Sequence, residues 1–210
     1  MKSLLLATSL FVATLLHAAP LVIYPSSDNR VLDLENNGRG NESRMADHTG
    51  EALNIGDNPQ NSVWRSILKF DLTPHKDQLA NEDSIALRLT VRQRLLQTPR
   101  DWTFQVVHFA SDHADRILIA PVQGDDDFSA AGIVIHQQPA GTVRDGAQLT
   151  IDVTAAVQEA LNTSGVLALR LQLDPATNND GVLDQISFYS GSHDVNMPAL
   201  RPQLIINAGE

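Results

Sequence analysis

Strict alternation of apolar and polar residues is the feature that most constrains this chain. Over residues 85–91, Ile85, Leu87, Leu89 and Val91 alternate with Ala86, Arg88 and Thr90, and Arg92 and Arg94 follow. Over residues 166–173, Leu167, Leu169, Leu171 and Leu173 alternate with Ala168, Arg170 and Gln172. Successive side chains of a strand point to opposite faces, so a period of two predicts strands with one apolar face. Residues 64–72 repeat the pattern, with Leu68, Phe70 and Leu72 on one side and Arg65, Ile67, Lys69 and Asp71 on the other. Shorter strands are expected at 21–24, 52–56, 102–109, 133–136 and 149–153, then around Ile186, Phe188, Leu204 and Ile206. Turn-forming clusters at 25–29, 57–59, 73–74 and 98–101 separate them, and 36–50 reads as a long surface loop.

One stretch breaks the period. Val153, Val157 and Leu161 fall four apart, Asp152 or Thr154 can cap the start, and Gly165 follows the end. The expected fold is therefore all-β, a jelly-roll-like β-sandwich with one short helix near residues 154–161. No repeat or low-complexity linker divides the chain, so one domain is expected from residue 19 to residue 210.

The first eighteen residues have another role. Lys2 precedes an apolar run over 4–16, about 13 residues, shorter than the roughly 20 a spanning helix needs. Small residues follow at Ala18 and Ala19. This is the pattern of a secretory signal peptide cleaved after Ala18, which implies a secreted, periplasmic or cell-surface protein with no membrane insertion. The chain carries 25 acidic against 15 basic residues and no cysteine. That balance argues against a nucleic-acid partner, since phosphate contacts need clustered Lys and Arg. The absent thiols exclude disulfides, thiolate catalysis and cysteine-ligated zinc.

Four blocks in order carry a family resemblance: RSILKFDL (65–72), ALRLTV (86–91), LTIDVTAAVQEAL (149–161), and the ending LRLQLD, NNDGVLDQISFYSG, RPQLII. Through them the chain resembles the DNRLRE-type secreted β-sandwich domains, which overlap carbohydrate-binding module family ninety-six. The resemblance implies a jelly-roll accessory module of secreted bacterial enzymes, some members of which bind acidic polysaccharide such as alginate. The chain departs from that pattern over 102–138 and in having no attached catalytic domain, so no binding residue is carried over.

The residues themselves offer two candidate sites. Arg65, Lys69, Arg88, Arg92, Arg94 and Arg170 all occupy positions read as outward-facing. If their strands share a sheet, they form a positive strip able to pair with sugar carboxylates or sulfates; otherwise they are ordinary solvated strand positions. The second candidate is an acidic loop. Asn178, Asp180 and Asp184 fall at the third, fifth and ninth places of a calcium loop, with Gly181 at the turn. Its first place is Ala176, so Asp174 would have to substitute; the alternative is a solvated Asx-rich turn.

Trp64, Trp102 and Tyr189 are too few to suggest stacking platforms for neutral sugars, and the histidines lack zinc-protease spacing. Residues 190–194 list Ser, His and Asp, yet no G-x-S-x-G or phosphate loop accompanies them. The function expected is a non-catalytic module binding carbohydrate, an anionic polysaccharide. The alternative is a structural or adhesive cell-surface or matrix module stabilised by calcium.

Overall fold

A computed structural model describes residues 20–34, 38, 40, 42–45 (backbone only), 52–97, 101–118, 126–191 and 197–206. The signal peptide expected at 1–18 lies outside them, as do Asp125 and the Ser192–His193–Asp194 run. The strands are β1 (Leu21–Ile23), β2 (Ser27–Asp33), β3 (Glu42–Met45), β4 (Ala52–Asp57), β5 (Val63–Asp71), β6 (Ile85–Leu95), β7 (Thr103–Phe109), β8 (Gly132–Pro139), β9 (Gln148–Asp152), β10 (Val166–Asp174), β11 (Asp184–Tyr189) and β12 (Gln203–Ile206). A single helical turn, α1 (Lys76–Leu79), follows β5, and the helix α2 (Thr154–Asn162) follows β9.

The fold is all-β, as the alternation requires. Every pairing is antiparallel, in the order β1-β12-β6-β11-β4-β5-β10-β7-β8. Two long strands make the sheet branch and curl. Ile85–Thr90 of β6 lie between β12 and β9; beyond a register shift near Val91, the strand's far end pairs with β11 instead. In the same way β5 takes β10, β2 and β4 as partners. A strand that changes partners along its length must twist from one layer into the other, which closes the sandwich.

The main core fills the inside of that curl. Leu68 and Phe70 of β5, Leu87 and Leu89 of β6, Leu169 and Leu171 of β10, and Phe188 of β11 are all fully buried there. Phe104 and Phe188 pack with ring centroids 5.5 Å apart. Each such side chain contributes about 1.5–3 kcal/mol by leaving water.

The helix sits where the four-residue spacing placed it. Its buried residues are Ala156, Val157, Ala160 and Leu161, and it contacts β10. The N-cap falls to Val153, which makes no side-chain capping bond, and not to Asp152 or Thr154; Asp152 still tightens the first turn, its Oδ1 accepting the Thr154 N–H at 2.9 Å and the Thr154 hydroxyl at 2.6 Å. Gly165, at φ +75°, reverses the chain into β10 while its N–H donates to the Ala160 carbonyl at 2.8 Å.

Two strands lie where turn or loop was expected. β2 begins with Ser, Asp and Asn, a turn composition, but it pairs along seven residues of β5, where β5 has an open edge. Its Asn29, Val31 and Asp33 are buried. β3 pairs with β2 in turn, inside the 36–50 stretch read as loop. Here a neighbouring ladder overrides local propensity.

Two outcomes are expected. Leu169→Ala should lower unfolding free energy in urea by about 2–5 kcal/mol through cavity formation. Asp152→Ala should cost about 0.5–2 kcal/mol. The Thr154 side-chain bond, then its backbone N–H, hold the Asp152 carboxyl below its usual 3.8. Its contribution is therefore present above pH 3.8 and lost as the pH falls through the lower folded value, so the gap to wild type should narrow below pH 3.8.

Candidate functional site

The six basic residues do not form one strip. Arg65, Lys69 and Arg170 lie together on β5 and β10, whereas Arg88, Arg92 and Arg94 lie on β6, with β11 and β4 between. The first group does point away from the main core, as expected, but not into solvent. Lys69 is 0% and Arg170 7% exposed, and Arg65 is half-buried. The reason is a second, smaller core on that face. Val31, Val63, Ile67, Phe109, Phe128 and Ala168 pack there, with Ile117 and Ala130 against them. Phe128, Ile117 and Ala130 come from the connection between β7 and β8, which folds back over the sheet.

The three cations pin that connection down. Lys69 Nζ lies 2.7 Å from Asp127 Oδ2 and donates to the Arg116 carbonyl at 2.9 Å. Asp127 Oδ2 also accepts the Leu118 N–H at 2.6 Å. Arg170 donates to the Ala130 carbonyl at 2.8 Å and to that of Asp127 at 3.3 Å. Arg65 donates to the Phe128 carbonyl at 2.6 Å, and its guanidinium sits 4.4 Å from the Phe128 ring centroid. Asp33, Asp126 and Asp127, all buried, supply three negative charges to match the three positive ones. Burial depresses the proton affinity of Arg65 first, and Asp33 and Asp126 oppose it. Burial, then repulsion from Arg65, pushes Arg170 down to about 10 against the pull of Asp126 and Asp127, which leaves it charged at neutral pH.

These groups are committed internally. The Lys69–Asp127 attraction is roughly 6 kcal/mol at an effective dielectric near 20, while taking each ion from water costs several kcal/mol. The pair thus adds little net stability, but losing one partner strands the other.

On β6 the picture differs. Arg92 is exposed and Arg88 half-exposed, level with the exposed Thr150 of β9. Arg94 was expected to face outward too, but the register shift sets it opposite Ile186, on the side that faces the main core, and its guanidinium reaches the Gly141 carbonyl after β8 at 3.4 Å. Arg144 donates to the same carbonyl. Sequence reading passed over Arg144, because it stands in a turn rather than on a strand.

The acidic loop brings three of its four expected ligands together. Asn178 Nδ2 lies 2.8 Å from Asp180 Oδ2 and 3.3 Å from Asp184 Oδ2. Asp184 is fully buried as the first residue of β11, and its Oδ1 accepts the Gln97 N–H at 2.6 Å. Asp174 is exposed, and its Oδ2 accepts from Gln105 at 3.3 Å. One carboxylate was missed. Asp57, read as part of a turn, ends β4 directly opposite Asp184 and is fully buried. Gly56 permits this approach: at φ +118° it stands where any Cβ would come within 2.0 Å of the Asp184 carbonyl.

Two clefts open nearby. One of about 280 Å³ joins the acidic loop to the folded-back connection, lined by Asp33, Arg65, Phe128, Thr177 and Asn179. The other, about 320 Å³, is lined by His108, Ser111, Asp112, Glu159 and Ser164, with His108 Nε2 3.7 Å from Glu159. Trp102 is buried in the main core, and Trp64 is half-buried beneath Arg30, whose guanidinium lies 5.1 Å from its ring centroid.

No protein-family model matches the chain, and no curated protein matches it.

The buried network makes a sharp expectation. Asp127→Ala should destabilise the protein by about 3–5 kcal/mol in urea, because it removes the carboxylate that faces the buried Lys69 ammonium. Lys69→Met combined with Asp127→Leu should recover most of that loss. A double variant no better than the single one would contradict the pairing.

Proposed function

We propose that this is an exported, non-catalytic β-sandwich module that binds carbohydrate, with an anionic polysaccharide as its ligand. The resemblance to DNRLRE-type domains supports the reading, and so does the leader-like start of the chain. The observation that carries it is the pair of solvent-reaching guanidiniums on β6. Arg88 and Arg92 stand at solvent-reaching positions four residues apart, and Arg94 and Arg144 converge on the Gly141 carbonyl. A strand rises about 3.3 Å per residue, so Arg88 to Arg92 covers roughly 13 Å. Guanidinium forks match carboxylate and sulfate oxygens in pairs, which suits uronate and sulfated chains. In a chain of net charge −10, such a patch offers a local positive field on an otherwise repelling surface.

The binding face proposed is therefore narrower than the six-residue strip. Lys69 and Arg170 belong to the internal network, and Arg65 reaches only the cleft beside the acidic loop. A second reading, a structural or adhesive module with no glycan ligand, is favoured by the buried carboxylate of Asp57.

Affinity electrophoresis through alginate, pectate and a sulfated glycan at low salt tests the proposal. Retardation is expected on at least one of them and should fade as salt rises. Replacing both Arg92 and Arg144 by Ala should weaken binding about tenfold or more, while Lys69→Met with Asp127→Leu should migrate as wild type does. Absence of retardation on all three would sink the reading.

A further inference from the structure

Asp57 and Asp184 face each other across adjacent strands, both at 0% exposure. Two carboxylates withdrawn from water side by side need compensating positive charge or several donors. Asp184 has some, through the Gln97 N–H and the Asn178 amide. At Asp57 neither oxygen accepts a hydrogen bond of normal geometry. Burial raises its proton affinity most, and the charge of Asp184 raises it further. The Thr177 hydroxyl and the N–H groups of Asp184 and Asn178 draw near enough to oppose that. A fully buried side chain with two unfilled acceptors, set beneath a loop of oxygen donors, is a place where something positive belongs.

We propose that Asp57 and Asp184, with Asn178 and Thr177 from the loop above them, form a calcium site that ties β4 and β11 to the 175–183 loop. The donors are all hard oxygens. A half-turn of the Asn178 amide would turn its oxygen, instead of its nitrogen, toward an ion held beside Asp184. Among the described residues no three His, Cys, Asp or Glu side chains cluster closely enough to bind a metal by themselves. The ion must therefore complete its shell with amide, hydroxyl, backbone carbonyl and water oxygens. Calcium accepts six to eight such ligands with loose geometry, magnesium demands a near-ideal octahedron, and transition metals favour nitrogen and sulfur. Two carboxylates plus neutral donors put the affinity at about 10⁻⁴–10⁻³ M, the range of extracellular modules.

The site differs from a loop of the expected spacing in its centre. It uses a residue 127 positions away from Asp184 in sequence, and it releases Asp174, which accepts from Gln105. It stands independently of the glycan reading, because it needs no polysaccharide for its test.

Thermal unfolding of the protein at neutral pH, without glycan, compares EGTA, millimolar calcium and millimolar magnesium; calorimetric titration with calcium chloride runs alongside. Calcium should raise Tm by roughly 3–6 °C over EGTA, and magnesium by less than half as much. Asp57→Asn should lose the calcium response and melt in EGTA at or above wild type, since it removes one of two facing charges. If that variant does not fold, Asn178→Ala with Thr177→Val should weaken calcium binding about tenfold. A wild-type Tm indifferent to calcium with no heat of binding overturns the proposal, as it would if the two carboxylates shared a proton instead. A full calcium response in Asp57→Asn overturns it equally.

Discussion

The buried pair of Lys69 and Asp127 joins two parts of the molecule that local sequence keeps apart. Lys69 belongs to β5, the strand with three partners; Asp127 belongs to the irregular connection after β7. Their 2.7 Å contact holds that connection across β5 and β10, with the Arg65 and Arg170 guanidiniums clamping the carbonyls on either side. Beneath the clamp Ile67, Ala168, Phe109 and Phe128 lose contact with water. The sheet is thereby apolar on both faces along these strands, one face against the main core and the other against the connection. A network of three cations, two of them buried, and three buried carboxylates costs nearly as much to desolvate as it returns. Its effect is to select one placement of the covering segment, since other placements would leave a charge alone.

The fold was largely legible because alternation is a local property. β6 and β10 were bounded to within a residue by their apolar positions, and α2 by its four-residue spacing and Gly165. β2 and β3 were not, because their residues read as turn and only the open side of β5 makes a strand of Ser27–Asp33. Alternation states which side a residue lies on, but not what covers that side. Lys69 and Arg170 were assigned the correct side and the wrong environment. A clue was present: Ile67 and Ala168 stand among the polar positions of their strands, an apolar pair with no reason to meet solvent.

The acidic loop shows the complementary gap. Asn178, Asp180 and Asp184 were found by spacing, and the structure does gather them. Asp57 was beyond reach, since nothing near residues 57–59 distinguishes a buried carboxylate from a turn residue. Pairing of β4 with β11, which six other strands separate in sequence, creates that juxtaposition, together with the unusual backbone of Gly56. The arginines separate for the same reason. Residues equivalent by pattern divide into an internal group on β5 and β10 and a reachable group on β6, once two strands intervene.

The face carrying Lys69 is sealed by the connection folded over it. The chain has only three lysines, Lys2, Lys69 and Lys76, and Lys76 is exposed on α1. Acylation of the native protein with an amine-reactive ester, followed by peptide mass spectrometry, compares Lys69 with Lys76 in one sample. A sealed face predicts that Lys76 is modified while Lys69 reacts at least about a hundredfold more slowly, because modification must await local opening. Comparable rates at the two positions would contradict it.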